Sequence, residues 1–72
     1  MNNDKRNLAL IFKRIKLGLS QAELAEKLNV SPALISQIES GKRNPSYKMM
    51  VKFSEFFNES VDSLFFTKNS YK

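Results

Sequence analysis

Residues 20–39 read Ser20-Gln21-Ala22-Glu23-Leu24-Ala25-Glu26-Lys27-Leu28-Asn29-Val30-Ser31-Pro32-Ala33-Leu34-Ile35-Ser36-Gln37-Ile38-Glu39. Two helix starts lie here, one turn apart. Ser20 and Glu23 have the spacing of a capping box, in which the Ser20 hydroxyl accepts from the Glu23 amide and the Glu23 carboxylate accepts from the Ser20 amide. Leu19 and Leu24 occupy the two staple positions around that cap, which fixes the angle at which the chain enters. The helix runs to about Leu28. Asn29 follows, and Asn tolerates the left-handed backbone that ends a helix. Ser31 is a good N-cap, and Pro32 suits a first helical position, whose N–H has no partner within the helix. The next helix runs to about Ser40 and stops at Gly41.

Leu24, Ala25 and Leu28 share one face of the first of these helices, and Ile35 and Ile38 share one face of the second. Ala25 is small where the two would approach, and Val30, the lone apolar residue of the turn, is expected to point inward. Two short helices, a tight turn and small-residue contact describe a helix-turn-helix, whose second helix is shaped to enter a DNA major groove.

The same punctuation extends outward. A helical segment from roughly Lys5 to Leu17 precedes Gly18. After Gly41, Lys42 to Asn44 form a loop kept extended before Pro45. Ser46 caps a fourth helix, about Tyr47 to Phe57, with Asn58 as its left-handed terminator. Ser60 caps a short fifth helix to about Phe66, with Asp62 in the first turn, where the helix dipole favours an anion. Sustained period-two alternation and hairpin turns are both missing. The expected fold is therefore all-α: a compact five-helix domain over residues 1–66, with a short C-terminal tail at 67–72.

Composition narrows the function. The 72 residues contain no Cys, no His and no Trp. Disulfides and the usual zinc sites are excluded, and the commonest general base and thiol nucleophile are missing. An enzyme is not expected, nor a metal or any other cofactor. The longest apolar run, Leu8 to Phe12, is far short of the roughly 20 residues that span a bilayer. No secretory leader is visible, so a cytoplasmic protein without membrane association is expected. Twelve Lys and Arg against seven Asp and Glu give a net charge of +5. The excess is clustered: residues 42–52 carry Lys42, Arg43, Lys48 and Lys52 with no acid. Such a patch suits a polyanion, although a solvated helix face has the same composition.

Several spaced features then agree. Arg14-Ile15-Lys16-Leu17-Gly18-Leu19-Ser20-Gln21-Ala22-Glu23-Leu24-Ala25, Val30-Ser31, Ile35-Ser36-Gln37-Ile38-Glu39 and Gly41-Lys42-Arg43-Asn44-Pro45-Ser46 together resemble the phage repressor and Cro (XRE-like) family of helix-turn-helix proteins. The resemblance covers roughly residues 8–66. It implies a lambda-repressor-like five-helix domain that binds operator DNA, double-stranded and palindromic, as a homodimer.

By that resemblance Gln21 donates to a DNA phosphate, and Ser31, besides capping its helix, faces the backbone. Pro32, Ala33, Ser36 and Gln37 lie on the outer face of the third helix, opposite Ile35 and Ile38. Gln37 is the leading base-reading candidate, because its amide can pair bidentately with adenine. Ala33 can offer a thymine methyl an apolar contact. Leu34 stands beside that face, and base contact and core packing explain it equally well. The reading helix carries no Lys or Arg before Lys42, so affinity must come mostly from phosphate contacts elsewhere. Lys42, Arg43 and Asn44, with the helix start from Ser46 to Lys48, are the expected clamp. Arg14 and Glu39 are implied to form an ion pair that orients the reading helix.

Phe53, Phe57, Val61, Leu64 and Phe65 follow helical spacing and are expected in the core. Phe56 and Glu59 depart from the family pattern and, with Phe66 and Tyr71, are candidates for the dimer interface. Helix one is apolar over a wide arc, with Leu8, Ile11, Phe12 and Ile15 on one side and Leu10 and Leu17 on another; which side is core stays open. A Cro-like, autoregulatory or restriction–modification controller, regulated by its own concentration, is the leading expectation. An antitoxin that represses its own operon, and a protein-interaction module with the same fold, are the alternatives.

Overall fold

The computed structural model describes residues 4–66 as five helices: α1 (Leu8–Lys16), α2 (Gln21–Leu28), α3 (Pro32–Ser40), α4 (Tyr47–Phe57) and α5 (Val61–Phe65). Each starts where a side chain accepts a main-chain N–H: Asn7, Ser20, Ser31, Ser46 and Ser60 all do so. The capping box at Ser20 and Glu23 is complete. Asn29 and Asn58 end α2 and α4 in the left-handed conformation.

Helix α1 starts at Leu8, three residues later than the spacing suggests. The Asp4 carboxylate accepts from the Arg6 amide at 2.9 Å and holds a turn there. Asn7 then caps the helix, and its own amide donates to the Glu39 carbonyl at 2.9 Å. Its side-chain amide also reaches the Leu64 carbonyl, at 2.9 Å. One short polar residue thus ties α1 to the ends of α3 and α5.

The core is built from Leu10, Leu24, Ala25, Leu28, Ile35, Ile38, Phe53, Phe57 and Leu64. Burying one large apolar side chain of this kind contributes about 1.5–3 kcal/mol before entropy is counted. Helices α2 and α3 form the most extensive pair, because Ala25 lets them close on each other. Phe53 lies fully buried between α2 and α5, with the Phe65 ring edge-on to it at 5.7 Å. Val61 and Phe65 are only half-buried, so the C-terminal part of the core is thinner than its sequence spacing suggests.

The question left open for helix one is answered by burial. Leu10 alone of α1 is fully buried, while Phe12 and Ile15 are 63% and 57% exposed and Leu17, just past the helix end, is 55% exposed. The longer apolar stripe of α1 therefore points away from the core. Its inward side is completed by Arg14, one turn beyond Leu10.

Candidate nucleic-acid interface

The geometry of the site begins with one carboxylate. Glu39, near the end of α3, is only 3% exposed. Its oxygens accept from Arg14 Nε at 2.7 Å, from Arg14 Nη2 at 3.1 Å and from Gln21 Nε2 at 3.0 Å. The remaining Arg14 nitrogen, Nη1, donates to the Leu19 carbonyl at 2.7 Å. A buried charge is tolerated only when it is paired and its lone pairs are satisfied, and this arrangement supplies both. The network joins α1, the turn after it, the start of α2 and the end of α3, so the axis of α3 is held from three sides.

The outer face of α3 differs in kind. Pro32, Ala33, Ser36 and Gln37 are exposed. Among the described residues no hydrogen bond engages the Ser36 hydroxyl or the Gln37 amide. The Gln37 carbonyl, by contrast, accepts from Lys42 N at 2.9 Å, from Arg43 N at 3.2 Å and from the Ser40 hydroxyl at 3.1 Å. The turn carrying Lys42 and Arg43 is thereby folded back onto the last turn of α3. Lys42, Arg43 and Asn44 are all exposed.

Gly41 makes that turn possible. Its φ is +85°, and a Cβ there would lie 2.2 Å from the Lys5 carbonyl oxygen. A side chain is excluded both by the backbone conformation and by the close approach of the N-terminal segment. That approach sets Lys5 beside the Lys42–Arg43 turn, a placement that no local sequence pattern signals.

Two further helix starts present amide groups. Ser46 accepts from Met49 N and Ser31 accepts from Leu34 N, both at 3.1 Å. The amides of Tyr47 and Lys48 precede the first intrahelical bonds of α4, as those of Gln21 and Ala22 do in α2, and such groups suit an anion. Ser31, Ser46 and Lys48 are exposed. Gln21 is half-buried, with its amide turned onto Glu39, a partner that sequence spacing does not reveal.

Three of the expected site residues have partners within the chain. Leu34, counted among the base-reading residues, is half-buried and packed against the core, because it lies one turn before Ile38 on the inward side of α3. Phe56, counted toward a dimer interface, sits edge-on against Phe57 at 5.0 Å and packs within its own chain. Glu59, given the same role, is bound by Lys13 of α1 and by the Ser63 hydroxyl. The hydrogen bond from Lys13 holds its carboxyl below the usual glutamate range, with Ser63 and the charge of Lys13 adding to the effect. Phe66 stays 56% exposed. Tyr71 and the tail at 67–72 lie outside the described residues. Lys52, part of the acid-free run, donates to the Leu28 carbonyl at 2.9 Å and so closes the end of α2.

An open groove of about 630 Å³ lies between the N-terminal segment, the turn after α3 and the end of α5. Lys5, Arg43, Pro45, Met50 and Phe66 are among its walls. Among the described residues no cluster of side chains could hold a metal ion, and no helix is long and apolar enough to cross a membrane.

A polar, unengaged helix face beside a cationic turn, on a helix pair closed by a short turn, defines a helix-turn-helix DNA-binding domain. The profile of the family described as Helix-turn-helix matches residues 10–64, and the chain belongs to this family of transcriptional regulators, of the phage repressor and XRE type. It is 40% identical over 52 residues to an HTH-type transcriptional regulator of Archaeoglobus fulgidus, covering 72% of this chain and 74% of that one. It is 39% identical over 56 residues to the HTH-type transcriptional regulator MJ0272 of Methanocaldococcus jannaschii, covering 78% and 85%. Among solved structures it is similar to the clp gene regulator ClgR of C. glutamicum, with a TM-score of 0.74 and 28% identity over 96% of this chain and 91% of that one.

Proposed function

We propose that this chain regulates transcription by binding a palindromic operator as a homodimer, with half-sites about one helical turn apart. One observation carries the reading: among the described residues no hydrogen bond engages the Ser36 or Gln37 side chains on the outer face of α3, and the Gln37 carbonyl anchors the Lys42–Arg43 turn beside it. Reading group and clamp therefore move as one body. Gln37 reads a base edge, with Ala33, Ser36 and Pro32 in apolar or polar contact around it. Lys42, Arg43, Asn44, Ser46, Lys48 and Ser31 hold the phosphates. The second N–H of the Gln21 amide serves a phosphate while the first stays on Glu39.

The two copies meet at the groove rimmed by Phe66, which brings the Lys42–Arg43 turns of both toward the middle of the site. The protein acts in the cytoplasm, as a Cro-like or autoregulatory repressor. An antitoxin that represses its own operon would read DNA in the same way.

Selection of bound fragments from random duplex DNA, followed by titration at several salt concentrations, tests this. A palindromic consensus is expected, with affinity falling steeply as salt rises because each phosphate contact releases counterions. Replacing Lys42 or Arg43 by Ala should weaken binding to all sequences alike and reduce the salt slope by about one each. A chain that ignores every duplex at low ionic strength would refute the proposal.

A further inference from the structure

Lys5 belongs to no motif of the sequence, yet the fold seats it at the edge of the site. A Cβ on Gly41 would lie 2.8 Å from Lys5 Cβ as well as 2.2 Å from the Lys5 carbonyl oxygen. Gly41 joins the last turn of α3 to Lys42, so the Lys5 side chain leaves the surface at the junction of the reading helix and the cationic turn. Lys5 and Arg43 are both walls of the groove that opens there. The segment carrying Lys5 is fixed on both sides. Asp4 accepts from the Arg6 amide at 2.9 Å, which closes a turn around Lys5. Asn7 donates its backbone amide to the Glu39 carbonyl and its side-chain amide to the Leu64 carbonyl, each at 2.9 Å.

The neighbouring charges are already spent. Arg6 is held by Asp4, with Nε on Oδ1 at 3.0 Å and Nη2 on Oδ2 at 2.8 Å. That bidentate pair carries no net charge. Glu39, the acid at the end of α3, is buried and bound by Arg14 and Gln21. Lys5, Lys42 and Arg43 are exposed, and among the described residues no hydrogen bond or ion pair engages their side chains. Cations gathered at one corner, with the nearby acids occupied, repel one another until an anion lies against them. A duplex backbone offers anions in a row, one per strand about every 3.4 Å of axis.

We infer that Lys5 is a further phosphate-binding residue, bearing on the same stretch of DNA backbone as the Lys42–Arg43 turn. The inference rests on the operator reading above and adds to it a residue from a segment distant in sequence. Because the backbone around Lys5 is held before DNA arrives, only its side chain has to be ordered on binding. Gly41 then has a second reason to lack a side chain: a Cβ there would push this cation away from the turn.

The test uses the full chain and the duplex that it selects from random DNA. Lys5→Gln should lower the salt slope by about one per bound chain and weaken binding about tenfold per bound chain at about 0.1 M salt. Lys5→Arg should restore the wild-type values. Lys27→Gln, on α2 and outside the groove, removes the same charge and should change affinity by less than about twofold, because salt screens a distant charge. Asp4→Asn combined with Arg6→Gln deletes the neighbouring pair at constant net charge and should leave affinity where it was. Duplexes with one phosphate at a time replaced by a neutral methylphosphonate then locate the contact. At one position per half-site the loss seen with the wild type should vanish with Lys5→Gln, and that phosphate should adjoin those tied in the same way to Lys42 or Arg43.

Equal losses from Lys5→Gln and Lys27→Gln would reveal a general charge effect and overturn the inference. So would an equal loss from the Asp4 and Arg6 double variant, which would mark the segment as structural support. A methylphosphonate profile identical for wild type and Lys5→Gln would overturn it too, as would a drop in melting temperature shared by Lys5→Gln and Lys5→Arg. If the wild type binds no duplex, the operator reading fails and this inference with it. If the wild type binds and Lys5→Gln binds equally well, the reading stands and the inference alone fails.

Discussion

Helices α1 and α3 are both nine residues long, and one ion pair joins them, yet they use their apolar residues in opposite senses. In α3 the apolar residues Ile35 and Ile38 face inward and the outer face is small and polar. In α1 only Leu10 is fully buried, and the longer apolar stripe faces out. The contrast teaches that periodicity identifies a helix and its two faces without saying which face is covered. Coverage is decided by what the neighbouring elements offer. Glu39 needed a cation on the inward side of α1, and Arg14 at that position turned the stripe outward.

Cutting the link between the two helices should have the largest effect. Arg14→Ala leaves Glu39 as an uncompensated buried charge, and a loss of about 3–5 kcal/mol is expected from chemical denaturation. Exchanging both partners for apolar residues of similar volume should cost less than either single change. If the single and double variants were equally unstable, the pair would not be acting through burial.

The ends of the two helices give the next comparison. Gly18 follows α1 at φ +75° with open space around its missing Cβ, whereas Gly41 follows α3 at φ +85° against the Lys5 carbonyl. Gly18→Ala should cost only the left-handed backbone penalty, about 1–2 kcal/mol. Gly41→Ala adds a backbone clash, worth roughly a further 1–3 kcal/mol. Equal melting temperatures for the two variants would mean that the N-terminal segment does not rest on Gly41.

The outer faces can be exchanged in effect. Gln37→Ala should leave stability unchanged and relax discrimination at one base pair by about 1–3 kcal/mol. Phe12→Ser should do the reverse of a core mutation, shifting stability by no more than about 0.5 kcal/mol and leaving DNA affinity intact. A large destabilisation by Phe12→Ser would show that the stripe is covered.

The smallest effect concerns how α1 meets α5. The Glu59 carboxyl is held below its usual range by Lys13 and Ser63. Its contribution is therefore complete above the ordinary glutamate pKa of about 4.3 and is lost as pH falls through the lower folded-state value. Melting temperatures of the wild type and Glu59→Gln should converge in acid and separate toward neutrality.

Much of this was legible in the chain. Ser20, Ser31, Ser46 and Ser60 mark four helix starts, and Asn29, Gly41 and Asn58 mark three ends, because capping chemistry is local and needs no tertiary information. The start of α1 was not legible, since Asp4 and Asn7 both accept a main-chain amide there, and only Asn7, held by Glu39 and Leu64, opens the helix. The intrachain partner of Glu59 was not legible for a related reason, since Lys13 is distant in sequence. Gln21 looked like a surface residue because nothing near it signals the buried carboxylate it serves.

The separation between frame and reading surface has a consequence for how such a chain diversifies. Among the described residues the side chains of Ser36 and Gln37 hold nothing by hydrogen bonds, while Arg14, Gln21, Glu39 and Gly41 bear a good deal of load. Descendants can therefore exchange the outward side chains of one short helix without having to solve the folding problem again, and on the proposed function each such exchange would change the address sought on the genome.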